Sequence, residues 1–134
     1  DPYEKGERRL LNFGHTIGHA IETFMMNQST PILHGEAVAI GIICESYIST
    51  KMAKLSKTEF EEITTNISKL FPKIELKKST FPNLIELMKN DKKNSENKIK
   101  SCLLTGIGSC VYDQNLSIEE IKESLYFLIA MQDS

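Results

Sequence analysis

No stretch of this chain approaches the roughly eighteen consecutive apolar residues that a membrane-spanning helix needs, and no charged-then-apolar leader opens it. The reading is of a soluble, cytoplasmic protein. Cysteine is scarce: Cys44, Cys102 and Cys110 are odd in number and lack CxxC spacing. That argues against a disulfide framework and against a thiolate zinc site, and leaves reduced, mostly buried thiols as the expectation. Charge of one sign is lacking as well. Lys plus Arg number 16 against 18 Asp plus Glu, for a net charge of -2 and a pI near 6.0. Nothing in that balance attracts nucleic acid or an anionic membrane in general. Local basic groups at Lys5, Arg8 and Arg9, and at Lys89, Lys92 and Lys93, suit a solvated face or a small anionic ligand. Internal repeats, low-complexity linkers and a glycine-rich dinucleotide fingerprint are all missing.

What is present is one domain's worth of sequence. At 134 residues and 40% hydrophobic content, residues 1–134 suit a single globular unit with a modest core. The fold class is mainly α. Helix-compatible spacing runs from about Asn12 to Met26, with Gly14 and Gly18 lowering propensity and suggesting close approach of a ligand or another helix. From His34 to about Ala53 the set Ala37, Ile40, Cys44, Tyr47 and Ile48 keeps a 3.6 period. Val38, Ala39, Ile42 and Ile43 make the first half apolar nearly all round, as in a buried central helix. Capping boxes at Ser56–Glu59 and Ser117–Glu120 open two amphipathic helices, one carrying Phe60, Ile63, Ile67 and Leu70, the other Ile121, Leu125, Leu128 and Ile129. A short helix over Pro82 to about Asn90 and a polar loop over 91–97 lie between them. Lys98 to Leu104 and Ser109 to Tyr112 suggest a small β-hairpin near 98–112.

The only three histidines fall within twenty residues: His15, His19 and His34. On a helix His15 and His19 share a face, about 5–6 Å apart, within reach of one ion or one substrate. Divalent metals such as zinc take neutral imidazole, and a catalytic site typically uses three protein ligands and keeps a position open. Spacing alone therefore allows a His15/His19/His34 site, with Glu22 or Glu36 as a substitute ligand. It also allows three unrelated structural histidines, the commoner case for any one of them.

The surrounding letters are more specific. The run from Asp1 to Glu22 containing Arg8-Arg9-Leu10-Leu11-Asn12-Phe13-Gly14-His15-Thr16-Ile17-Gly18-His19, then His34-Gly35-Glu36-Ala37-Val38-Ala39-Ile40-Gly41, closely resembles the carboxy-terminal domain of the 3-dehydroquinate synthase family. Met88-Lys89-Asn90-Asp91-Lys92-Lys93 and Leu103-Leu104-Thr105-Gly106-Ile107-Gly108 are similar to that family too. The resemblance covers Asp1 to about Gly108.

It implies a multi-helix carboxy-terminal domain of the dehydroquinate synthase-like fold, which supplies metal and substrate contacts facing an amino-terminal NAD-binding domain. It implies conversion of 3-deoxy-D-arabino-heptulosonate 7-phosphate to 3-dehydroquinate and phosphate, in the shikimate route to aromatic amino acids. In that chemistry a carbinol is oxidised, phosphate is eliminated beside the new ketone, and the ketone is reduced again before ring opening and aldol closure. By the resemblance, His15 and His34 are ligands to zinc or cobalt, and His19 faces the substrate. Arg8 and Asn12 contact the substrate, as does a lysine of Asp91-Lys92-Lys93, either Lys92 or Lys93.

The family's third ligand is a glutamate from a preceding segment. Asp1-Pro2, without an initiator methionine and running at once into motif, fits half of a longer protein. The chain alone is expected to be inactive, and the full-length protein to be a homodimer. The loop from Thr23 to Leu33, with Met25-Met26-Asn27-Gln28-Ser29, is longer than the family pattern. Two other readings stand beside this one: a related sugar-phosphate cyclase or metal-dependent polyol dehydrogenase, and a non-catalytic helical metal-binding module.

Overall fold

A computed structural model describes residues 14–26, 34–71, 76–90 and 99–132. Along the chain these form α1 (His15–Met26), α2 (His34–Met52), α3 (Lys57–Leu70), a 3-10 turn (Lys78–Thr80), α4 (Phe81–Lys89), β1 (Ile99–Gly106), β2 (Ser109–Leu116) and α5 (Ile118–Gln132). The mainly helical reading with one small hairpin holds.

The centre is α2. Because its apolar residues lie on more than one face, it can be covered from several directions, and α1, α3, α5 and β1 all pack on it. Ile40, Ile43, Cys44 and Ile48 are fully buried there. Around them sit Ile17 and Ile21 of α1, Leu84 of α4, Ile99 and Leu103 of β1, and Ile121, Leu125 and Leu128 of α5. Each such aliphatic side chain contributes about 1.5–3 kcal/mol when taken out of water.

The glycines settle a point that spacing left open. A Cβ on Gly41 would stand 1.8 Å from the carbonyl oxygen of Gly14 and 2.7 Å from the amide of Gly18; one on Gly18 would stand 2.9 Å from the Ala37 carbonyl oxygen. The close approach is helix to helix, backbone on backbone, between α1 and α2. Gly14 also sits at φ +85, in the left-handed region. A right-handed helix does not continue through that conformation. So α1 opens at His15; Asn12 and Phe13, with which the spacing begins the helix, lie outside the described residues. It closes at Met26, which makes Thr23 to Met26 helix and not loop.

Both capping boxes form. Ser56 Oγ accepts from the Glu59 amide at 3.1 Å while Glu59 Oε1 accepts from the Ser56 amide at 3.3 Å; Ser117 and Glu120 repeat the exchange ahead of α5. Glu59 also accepts from the Ile107 amide at 2.8 Å, tying the hairpin turn to α3. That bond, with the two from Ser56, holds its carboxyl below the ordinary glutamate range. The α3 face departs from expectation at its end. Phe60 is buried and Ile63 and Ile67 half-buried, but Leu70 is 71% exposed, the last turn having left the core.

The hairpin pairs Ile99 with Leu116 and Leu103 with Val111, closing over Ile107-Gly108. β2 runs past Tyr112 to Leu116, through Asp113-Gln114-Asn115, residues a strand reading passes over. What holds the extension is burial of Leu116 opposite Ile99. Cys44, Cys102 and Cys110 are unbridged thiols, the first two buried. Among the described residues, no helix is long and apolar enough to cross a membrane.

Candidate functional site

The packing of α1 on α2 brings the histidine segment together. His34 is the first residue of α2, and Glu22 lies on the α1 surface one turn beyond His19. His34 Nδ1 is 2.8 Å from Glu22 Oε2. A carboxylate accepts, so the imidazole N–H donates. The distance is that of a charge-assisted bond. Glu22 is half-buried, at 27% exposure, and His34 is open at 65%.

His19 faces a different neighbourhood. With Thr16, Ala20 and Thr23 of α1 it lines a cavity of about 370 Å³, whose other wall is Leu87, Met88 and Asn90 from α4 and its end. Thr16 spans inward from that wall, its hydroxyl donating to the Lys100 carbonyl of β1 at 3.0 Å. Asn90 directly precedes Asp91-Lys92-Lys93 in the sequence.

Of the residues singled out from sequence, His34, Glu22 and His19 therefore stand along one helix pair, with His34 on Glu22 and His19 at the cavity. His15 is placed by its backbone at the start of α1; its side chain lies outside what is described. Arg8, Asn12, Lys92 and Lys93 also lie outside the described residues. Glu36 falls in the first turn of α2, where a carboxylate complements the positive end of the helix. Among the described residues no group of three His, Cys, Asp or Glu side chains is gathered as a metal cage. Lys89, read as part of a solvated basic face, meets Glu86 at 3.6 Å, a surface pair of little energetic weight.

One residue escaped the sequence reading altogether. Glu45 of α2 is fully buried. Its carboxylate accepts from the Gly14 amide at 3.1 Å, the Ile17 amide at 3.0 Å and the Ser101 hydroxyl at 2.5 Å. Gly14 stands at the N-cap position of α1 and Ile17 at the third helical position, the two amides that a capping box satisfies. Gly14 has no side chain to serve them. Glu45 supplies both from a neighbouring helix, and its negative charge meets the positive end of α1. Ser49, one turn on, donates to the Glu45 carbonyl and accepts from the Leu104 amide, extending the polar seam to β1. The signal was a lone carboxylate within an otherwise apolar, all-round buried helix, where a charge without partners is costly.

Residues 1–94 match the family model for the 3-dehydroquinate synthase C-terminal domain. The chain is 40% identical over 127 residues to the 3-dehydroquinate synthase of Parabacteroides distasonis, which covers 95% of this chain and 36% of that protein. It is 43% identical over 125 residues to the bifunctional 3-dehydroquinate synthase/phosphatase of Fusobacterium nucleatum, covering 92% and 17%. Among solved structures, 2-deoxy-scyllo-inosose synthase complexed with carbaglucose-6-phosphate, NAD+ and Co2+ superposes with a TM-score of 0.74 at 29% identity, over 92% of this chain and 34% of that one. A 2-epi-5-epi-valiolone synthase from Streptomyces hygroscopicus shares the fold, with a TM-score of 0.72 at 24% identity over the same shares. The chain spans about a third of the length of the Parabacteroides relative. With residues 1–94 of its 134 matching that family model, the chain belongs to the 3-dehydroquinate synthase C-terminal family.

Proposed function

We propose that the protein carrying this chain is a 3-dehydroquinate synthase, converting 3-deoxy-D-arabino-heptulosonate 7-phosphate to 3-dehydroquinate and phosphate in the shikimate route. The observation that carries the reading is 40% identity over 95% of the chain to a protein of that activity. In this reading the chain is the helical domain of a longer, cytoplasmic, homodimeric enzyme. An amino-terminal domain holds NAD, in keeping with the lack of a glycine-rich fingerprint here.

His34 and His15 hold a divalent metal, zinc or cobalt, with a third ligand from outside the chain. The donor chemistry suits this: an imidazole whose Nδ1–H is held by a carboxylate is the usual form of a metal-binding histidine. The inosose synthase structure contains NAD+ and Co2+, which supports the same pair of cofactors here. A divalent metal supplies Lewis acidity toward a bound alcohol and the ketone made from it. The chain's own residues do the rest of what this half contributes. His19, exposed on the cavity wall, takes and returns the proton of the alcohol being oxidised. Arg8 and Asn12 hold the substrate, with Lys92 or Lys93, which follow Asn90 in the sequence; a guanidinium suits a phosphate or carboxylate through paired donors.

The test is phosphate release from the heptulosonate phosphate by the full-length protein. It is expected to require NAD and zinc or cobalt and to be absent from the isolated 134-residue chain. Turnover by the isolated chain would contradict the division of labour, and no phosphate release by the full-length protein would favour a non-catalytic metal-binding module. The fold match to 2-deoxy-scyllo-inosose synthase favours a related sugar-phosphate cyclase as the second reading. A substrate profile in which a hexose phosphate is turned over and the heptulosonate is not would select it.

A further inference from the structure

We propose that Glu22 is a positioning residue for the metal site, fixing the tautomer and ring orientation of His34. The inference rests on the reading of His34 as a ligand, which the Nδ1 bond to Glu22 supports, and goes beyond it by giving Glu22 a role of its own.

The geometry is specific. Glu22 and His34 are twelve apart in sequence and on different helices, so nothing local forces them together. Their 2.8 Å approach is set by the glycine-lined packing of α1 on α2, which fixes where the first residue of α2 sits over the α1 surface. A neutral imidazole carries its proton on one nitrogen and a lone pair on the other. With Glu22 taking the Nδ1 proton, the tautomer selected is the one whose lone pair is on Nε2, the atom then offered to a metal. The carboxylate also makes the ring a more basic donor and removes its freedom to spin about χ2. Half-buried Glu22 keeps this bond less screened than an open surface pair. A plain ion pair pinning α2 to α1 would hold the helices together but leave metal affinity unchanged, so the two roles separate by measurement.

The experiment measures Zn2+ affinity by chelator competition, and Co2+ visible absorption, on the full-length protein and its Glu22→Ala, Glu22→Gln and His34→Ala variants. Glu22→Ala is expected to weaken binding about 10–100-fold with the cobalt ligand number kept. Glu22→Gln, whose amide oxygen still accepts from Nδ1–H, is expected to stay within a few-fold of the parent, and it covers the case in which the alanine variant folds poorly. Unchanged affinity in Glu22→Ala overturns the proposal. So does a loss as complete as that of His34→Ala with a changed cobalt spectrum, which would make Glu22 itself a ligand. Full metal binding by His34→Ala would overturn the ligand reading beneath it, an outcome distinct from either.

Discussion

The carboxylate of Glu45 accepts the backbone N–H of Ile17 at 3.0 Å, across the interface between the second helix and the first. With the Gly14 amide it completes the start of α1, whose first residue is His15 and whose second turn carries His19. A capping function ordinarily local to a helix has been moved to its neighbour, because the cap position is a glycine that the helix contact itself requires.

Replacing Glu45 with alanine strands the Gly14 and Ile17 amides together and leaves the Ser101 hydroxyl only the Cys102 carbonyl, at 3.2 Å. Each buried donor left without a partner costs about 1–3 kcal/mol. A lowered Tm is expected, with faster amide hydrogen exchange concentrated at the opening of α1. Unchanged exchange at Ile17 would show that another group caps the helix.

The α1–α2 contact predicts a sharp contrast between two glycines. Gly41→Ala puts a methyl 1.8 Å from the Gly14 carbonyl oxygen, an immovable backbone atom. The helices must separate, and overpacking of this kind costs about 1–3 kcal/mol or more. At Gly35 the same methyl would meet only the Phe71 ring, at 3.6 Å, an ordinary contact. Thermal unfolding of the two variants should show a large drop in Tm for the first and little change for the second.

Cys44 predicts an alkaline signature. Burial pushes its thiol up from 9.0 to about 12, against a weaker lowering by the Ser124 side chain and with a smaller push from the Glu45 charge. The folded state therefore favours the protonated form. Its contribution to stability is complete below pH 9 and is lost as pH rises toward about 12. Cys44→Ser or Cys44→Ala should reduce the fall in stability over that window. At neutral pH, iodoacetamide labelling followed by mass spectrometry should find Cys44 unmodified until the protein is unfolded.

The helices and hairpin were legible wherever local signals agreed with tertiary contacts. Ser56 with Glu59 and Ser117 with Glu120 announce their helices by spacing, and the all-round apolar start of α2 announces its central place. Spacing does not mark where α1 opens, because Gly14 looks like a weak helix residue and is instead a left-handed turn pressed on Gly41, a conformation no periodicity records. β2 reads short in the sequence because Asp113-Gln114-Asn115 are poor strand formers, and the burial of Leu116 holds the extension. In the site, the histidine letters marked the residues, but which partner each meets depends on how two helices cross. That crossing sets His34 on Glu22 and His19 beside Asn90, and it lets Glu45 cap a helix thirty-one residues away in sequence from Gly14.

Metal content separates the roles of the three histidines. The full-length protein and its His15→Ala, His19→Ala and His34→Ala variants would be purified with zinc and assayed for bound metal and for phosphate release. His15→Ala and His34→Ala are expected to lose metal and turnover together, while His19→Ala keeps its metal and loses turnover. Loss of metal by His19→Ala as complete as that of His34→Ala would contradict that division of roles.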